Sequence, residues 1–230
     1  MKVIVTGATG FIGSHIVAAC VASPDISSVI VLTRRSVVEN SNHEAVRTSP
    51  KVTEIIHDDF SQYPPSLLER LNGAGACIWA IGGKVSQFPD LETAKRVGIE
   101  YTHAAAQAFL QHVAPTLDAG QKFCFVYCSG WGAAEDQNKT LWMMSDTRRI
   151  KGAAEKGLFD IAQSNPDSFQ VYCLRPAAVL PASCKTLYPV AGALMPAVVV
   201  TDLAKAFVTV ATKGYPKPIV ENSEITKLAK

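Results

Sequence analysis

The sequence has little net charge. Among its 230 residues, 22 Lys and Arg face 20 Asp and Glu, a formal charge of +2. That balance lacks the basic excess with which a domain gathers nucleic acid, so no nucleic-acid partner is expected. Long apolar runs are missing too. The most apolar late stretch, Ala191 to Val200, is short and broken by Pro196, so no membrane span is expected. The chain enters a strand-like run almost at once, so no signal peptide is expected. Cys20, Cys77, Cys124, Cys128, Cys173 and Cys184 form no C-x-x-C pair. Cys77, Cys124, Cys128 and Cys173 lie in or beside apolar runs, where a reduced thiol acts as a small hydrophobe. His103 and His112 have no histidine four residues away. No metal site is expected, and a reducing cytoplasm suits the thiols. There is no internal repeat and no low-complexity tract.

What is present is a globular composition, 48% hydrophobic and 18% charged, long enough for one α/β domain with a modest appendage. The organising stretch is the first. Val3-Ile4-Val5 reads as a buried parallel strand ending at Thr6-Gly7, and a helix follows from Phe11 to about Val21. Gly7 permits the tight strand-to-helix turn. Gly10 lets bare main chain approach a pyrophosphate, and Gly13 lets the helix pack close to the strand. The helix start aims its N–H groups and positive dipole end at phosphate. A glycine-rich turn without a ligand is the bland alternative.

The second strand, Val29 to Leu32, stops at Thr33-Arg34-Arg35-Ser36, and no acid follows until Glu39. An acid here would bind the ribose 2′-hydroxyl of NAD, whereas arginine accommodates the 2′-phosphate of NADP. Arg34 and Arg35 therefore favour NADP(H) over NAD(H), against the alternative of two solvated arginines. The loop from Val37 to Lys51 holds at most one short helix. Strand three, Val52 to Ile56, leads to His57-Asp58-Asp59-Phe60. Asp59 and Phe60 have two readings: an adenine contact, or a helix-capping aspartate beside a core phenylalanine. Strand four, Ala76 to Ile81, ends in Gly82-Gly83 at the carboxyl edge where open α/β sheets bind ligands. Leu91 to Val113 reads as the longest helix. Strand five, Lys122 to Cys128, leads into Ser129, which is placed either to hydrogen-bond a substrate oxygen or as an ordinary turn serine. A loop or lid, Ala133 to Met144, overhangs the site or covers core. Ser145-Asp146 is the candidate cap of a helix from Thr147 to Gln163. Strand six, Phe169 to Leu174, closes with Arg175-Pro176. A helix over 202–212, a short strand at Ile219-Val220 and a helix over 223–229 complete the chain.

Thr6-Gly-Ala-Thr-Gly-Phe-Ile-Gly13, Arg34, Asp59-Phe60, Ser129, Lys151-Gly-Ala-Ala-Glu155 and Leu174-Arg-Pro176 together resemble the short-chain dehydrogenase/reductase superfamily. The glycine spacing is similar to its extended and atypical branches, which include NAD-dependent epimerase/dehydratase-like proteins. The resemblance implies a Rossmann fold: a doubly wound parallel sheet flanked by helices, with a small C-terminal substrate-side elaboration. Residues 1–176 are the expected NAD(P)-binding core. Residues 177–230 are the small substrate-side segment plus closing helices of one compact domain. The cofactor set it implies is Gly7, Thr9, Gly10, Phe11, Ile12, Gly13, Arg34, Arg35, Asp59, Phe60, Ala80, Ile81, Gly82, Lys151 and Pro176.

In that superfamily a tyrosine four residues before the lysine is the acid/base, the lysine holds the nicotinamide ribose, and a serine polarises the substrate oxygen. Here Lys151 and Ser129 match, but Thr147 occupies the tyrosine position, and no tyrosine in the chain stands four before a lysine. The asparagine of the family's fourth helix is replaced by Gly98. The catalytic set is thus Ser129, Thr147 and Lys151. The expectation is an NADP(H)-dependent oxidoreductase acting on a small carbonyl or alcohol, as a monomer or homodimer. The alternative is a catalytically weak NADP(H)-binding sensor or interaction protein. A sugar-nucleotide epimerase or dehydratase is a third reading, disfavoured by the short C-terminal part.

Overall fold

Seven apolar runs form strands that pair in parallel. In the computed structural model, which describes residues 1–39, 43–138, 140–184 and 196–229, they are β1 (Lys2–Thr6), β2 (Ser28–Thr33), β3 (Val52–Ile56), β4 (Ala74–Trp79), β5 (Phe123–Cys128), β6 (Phe169–Arg175) and β9 (Ile219–Glu221). Their order is β3-β2-β1-β4-β5-β6-β9. The order reverses beside β1, and the carboxyl ends of the strands at such a reversal are the ligand position in doubly wound sheets. The α/β Rossmann reading of the sequence holds.

Both faces of the sheet are buried, so central strands read as unbroken apolar runs. One face packs on α1 (Phe11–Ala22), through Ile16, Val17 and Cys20, and on α7 (Val200–Lys213), through Leu203, Phe207 and Val210. The other packs on α3 (Pro65–Leu71), α5 (Tyr101–His112) and α6 (Ser145–Ser164) around Trp79, Phe109, Phe125 and Phe169. The remaining α-helices among the described residues are α2 (Glu44–Thr48), α4 (Leu91–Lys95) and α8 (Asn222–Leu228).

Several boundaries move. β4 runs Ala74–Trp79 rather than Ala76 to Ile81, so Ala80 and Ile81 stand beyond the strand. The single long helix expected from Leu91 is α4 joined to α5 by a π turn over Arg96–Glu100. Gly98 lies in that turn, and a Cβ there would come within 2.5 Å of Ile150 Cγ2. Glycine thus lets this helix approach the residue preceding Lys151. Ser145 and Asp146 are not the cap of α6. They are its first helical residues, and Met144, left-handed at φ 52°, stands at the cap position.

After β6 the chain forms a two-stranded parallel ribbon, β7 (Ala178–Leu180) with β8 (Ala197–Val199). It then returns through α7 to β9, the seventh strand of the main sheet. Within the expected substrate-side segment and closing helices over 177–230, residues 185–195 lie outside the described residues.

Candidate functional site

The glycine turn is packed main chain against main chain. Gly7 has φ +68°, and a Cβ on it would overlap the Ala80 carbonyl. A Cβ on Gly13 would overlap the Gly7 carbonyl. Any side chain at either position breaks the turn or drives it off the end of β4. Gly10 N–H donates to Gly7 O at 2.9 Å, and Ala80 N–H donates to Thr6 Oγ1 at 3.3 Å. Gly10 caps α1 with no side-chain acceptor, and the first turn carries no acid. The opening N–H groups of α1 therefore have no internal carboxylate, and Thr9, Gly10 and Phe11 are exposed around them. This cradle fits a pyrophosphate: bare backbone, helix-start donors and no competing negative charge.

The cradle continues along the sheet edge. A Cβ on Gly82 would lie 3.2 Å from Lys151 Nζ. Lys151 reaches down from α6 to donate to Cys128 O at 2.8 Å, with its ammonium 4.8 Å from the Tyr127 ring centroid. Burial of that end lowers the lysine pKa from its ordinary value, while Cys128 and Glu155 act in the opposite direction. Glycine turn, β4 end and Lys151 are thus contiguous.

The arginine turn stands apart, over β2. Arg34 and Arg35 are exposed. The turn is held by Thr33 Oγ1, which donates to Arg35 O at 2.8 Å. It is held also by Glu54 of β3, which accepts from Val38 N–H at 2.7 Å, from Ser36 Oγ at 2.9 Å and from Val37 N–H. The end of β3 lies alongside, since His57 N–H donates to Thr33 O at 2.9 Å.

The geometry narrows the paired readings of three residues. Phe60 is only 3% exposed, packed edge-on to Trp79 with centroids 5.8 Å apart, so its ring offers no face to adenine. Asp59 caps no helix. Its Oδ1 takes the Ser61 N–H at 2.9 Å and the Ser61 hydroxyl at 2.5 Å, bonds that hold its carboxyl below the usual range. Ser129 is 5% exposed, and its hydroxyl donates to Glu155, away from solvent. Thr147 stays at the edge. Its Oγ1 accepts the Val85 N–H at 3.0 Å, which pins the turn after β4 to α6 and leaves the hydroxyl hydrogen available. Pro176 is buried, and its carbonyl accepts the Trp131 N–H at 2.8 Å.

The sequence reading gave Glu155 and Arg175 no role. Glu155 has no exposed surface. It accepts from Ser129 Oγ, from Arg175 Nε at 2.9 Å and from Arg175 Nη2. Arg175 also donates to Glu221 at 3.1 Å. These carboxylates raise its pKa further above an already high value, the Glu155 bond most of all. The cluster ties the ends of β5, β6 and β9 to the helix that carries Lys151. A charged pair in an apolar setting, Glu155 after Gly-Ala-Ala and Arg175 after Cys-Leu, was the signal available in the sequence.

Among the described residues no group of His, Cys, Asp and Glu could hold a metal ion, and no helix is long and apolar enough to cross a membrane. All six cysteines are free thiols.

Residues 3–75 match the family described as NAD dependent epimerase/dehydratase. A protein of Lodderomyces elongisporus named Protein FMP52, mitochondrial, is 27% identical over 162 residues, 70% of this chain. The match spans 61% of that protein's length. Among solved structures, Gre2 of Candida albicans in complex with NADPH superposes with a TM-score of 0.72 at 18% identity, over 96% of this chain and 77% of that one. DesIV, a dTDP-glucose 4,6-dehydratase of Streptomyces venezuelae with NAD and TYD bound, gives 0.69 at 18% identity, over 100% and 80%. A short-chain dehydrogenase/reductase of Saccharomyces cerevisiae gives 0.67 at 12% identity, over 96% and 95%.

Proposed function

With the chain taken as a Rossmann protein of the short-chain dehydrogenase/reductase type, we propose that it binds NADP(H) and reduces or oxidises a small carbonyl or alcohol. The contiguous edge from the glycine turn through the end of β4 to Lys151 carries this reading. When bound, the nicotinamide cofactor supplies or takes the hydride. Gly7, Gly10 and Gly13 seat the pyrophosphate on main chain, with Thr9, Phe11 and Ile12 around it. Arg34 and Arg35 hold the 2′-phosphate with planar, charged donors. Asp59 and the Phe60 main chain border the adenine. Ala80, Ile81 and Gly82 line the ribose side, and Pro176 closes the far wall.

Lys151 holds the nicotinamide ribose and places positive charge beside the reacting oxygen. Thr147 donates its hydroxyl hydrogen to that oxygen. A threonine hydroxyl does not release its proton at neutral pH, so the proton that completes the alcohol comes from water through Thr147. Ser129 acts behind this layer, through Glu155. Small-molecule substrate is the expected partner, with the chain working as a monomer or homodimer. Free thiols suit a reducing compartment, which we take to be the cytoplasm.

The catalytically weak sensor is kept as a second reading, favoured by one observation: the Ser129 hydroxyl is committed to Glu155. A thermal shift separates binding from its absence. At a hundredfold excess over the dissociation constant a ligand adds about 2.7 kcal/mol, or about 5–11 °C for a chain of this length. NADPH is expected to give that shift at lower concentration than NADH. Equal curves refute the preference, and flat curves for both refute the cofactor reading. Consumption of NADPH with a carbonyl panel marks the reductase. Binding without consumption marks the sensor.

A further inference from the structure

Among the described residues, the arginines on the α6 side of the substrate edge are engaged within the fold. Arg148 Nε donates to Gly132 O at 2.7 Å. Arg149 donates to Gln137 O at 3.0 Å and lies 3.7 Å from Asp146. Arg175 is taken by Glu155 and Glu221. Arg149 and Arg175 are thus held by carbonyl and carboxylate oxygens, and Arg148 is held at Nε by Gly132 and over the Trp131 ring. What the same region leaves uncovered is apolar. The chain has three tryptophans. Trp79 is buried, whereas Trp131 is 57% exposed and Trp142 is 96% exposed, with Met143 and Met144 exposed beside it.

The segments that carry these side chains adjoin α6, the helix of Thr147 and Lys151. Trp131 N–H donates to Pro176 O at 2.8 Å, at the mouth between β5 and β6. The next turn lies on α6: Ala134 N–H donates to Arg148 O at 2.9 Å, and a Cβ on Gly152, next to Lys151, would overlap the Ala134 carbonyl. Arg148 sits 5.6 Å over the Trp131 ring, which holds that indole in place with much of its surface bare. Trp142, Met143 and Met144 lead straight into α6, and Thr147 stands in its first turn. Large apolar side chains left exposed on the segments that flank α6 suit a surface that an apolar ligand covers.

We infer that the substrate of this site is an uncharged carbonyl compound with an aromatic or comparably bulky apolar body, seated against Trp131 and the Trp142–Met144 segment. The inference rests on the proposed cofactor reading, and it sets aside sugar nucleotides and keto acids.

The test uses the whole chain loaded with NADP⁺, so that binding is read without turnover. Acetophenone, acetone and phenylglyoxylate are titrated while tryptophan fluorescence is followed, with NADP⁺ affinity measured separately. Acetophenone is expected to bind at least tenfold more tightly than acetone and than phenylglyoxylate. Trp131→Ala and Trp142→Ala should each weaken acetophenone several-fold to about tenfold, as loss of an aromatic partner does, and leave NADP⁺ affinity unchanged. Phenylglyoxylate binding as well as or better than acetophenone overturns the inference, since exposed Lys84 or another cation would then be reading the carboxylate. Acetophenone binding that both variants leave intact also overturns it. So does a dimer that Trp142→Ala dissociates, which would assign the patch to a second copy. NADP⁺ binding without acetophenone binding overturns this inference alone. No NADP⁺ binding overturns the cofactor reading, and this inference falls with it.

Discussion

Removing the Glu155 carboxylate should be among the most damaging single changes in this chain. In Glu155→Ala, Arg175 loses both bonds to Glu155, and Ser129 Oγ, itself buried, loses its acceptor. Breaking a buried ion pair from one side costs about 3–5 kcal/mol, because the surviving charge stays desolvated. Here the cost belongs at the low end, about 3 kcal/mol, for a structural reason. The Arg175 side chain keeps 13% exposure and keeps Glu221 at 3.1 Å, with Glu135 at 3.8 Å. For a chain of this length that is a fall of about 6–12 °C in Tm. Urea unfolding followed by far-UV circular dichroism measures it, as a lower midpoint at unchanged slope. The double variant Glu155→Leu with Arg175→Met removes both charges and should recover at least half of the loss. A single-variant loss under about 1 kcal/mol, the size of an ordinary surface pair, refutes the account.

Three further outcomes follow from the geometry. Arg34→Ala with Arg35→Ala should cut the NADPH-to-NADH affinity ratio about tenfold to a hundredfold, the worth of one or two charge-assisted bonds; a ratio unchanged in isothermal titration removes their 2′-phosphate role. Gly13→Ala should abolish measurable NADPH binding and cost at least about 1–3 kcal/mol from overpacking, because its Cβ overlaps the Gly7 carbonyl; tight binding by a well-folded variant contradicts the cradle. Lys151 has a lowered pKa in the folded chain, so the unfolded chain binds more protons between that value and the ordinary 10.5, and this group's contribution to stability rises with pH across the window. NADPH affinity should move oppositely and fall there, as the ammonium that holds the ribose deprotonates, and Lys151→Met should flatten both trends; a wild-type affinity flat across the alkaline range refutes the role.

The legible parts of this fold are those that backbone physics dictates. An apolar run followed by Gly7, Gly10 and Gly13 can hardly be anything but a strand turning into a close-packed helix, and the overlaps at Gly7 and Gly13 show why no side chain is tolerated. Strands buried on both faces announce themselves as Val3-Ile4-Val5 or Phe123 to Cys128. Side-chain partnerships were less legible. Ser129 follows a strand end whether it faces a substrate or Glu155, and the choice depends on Glu155, 26 residues later. The aromatic at position 60 is equally compatible with ligand and core until the position of Trp79 is known. The π turn at Arg96–Glu100 leaves no periodic mark, since it shifts the helical phase by a fraction of a turn.

The same division governs what this site can lose and keep. Its proposed nucleotide half is made mostly of main chain, which persists as long as three glycines and one strand end do. Its proposed reacting half depends on single side chains, and there the chain holds Thr147 where the superfamily it resembles has its acid. Thr147 is nevertheless not idle: by accepting the Val85 N–H it fixes the turn after β4 against the helix bearing Lys151. A phenol at position 147 would regain an acid but set its oxygen farther from the backbone and release that turn. Reach and acidity therefore trade against the placement of the β4 edge, which lies beside the Lys151 ammonium at Gly82. A substrate positioned by apolar contact rather than by charge leaves only its oxygen for such hydroxyl and ammonium groups to address, and that is a task the present residues can perform.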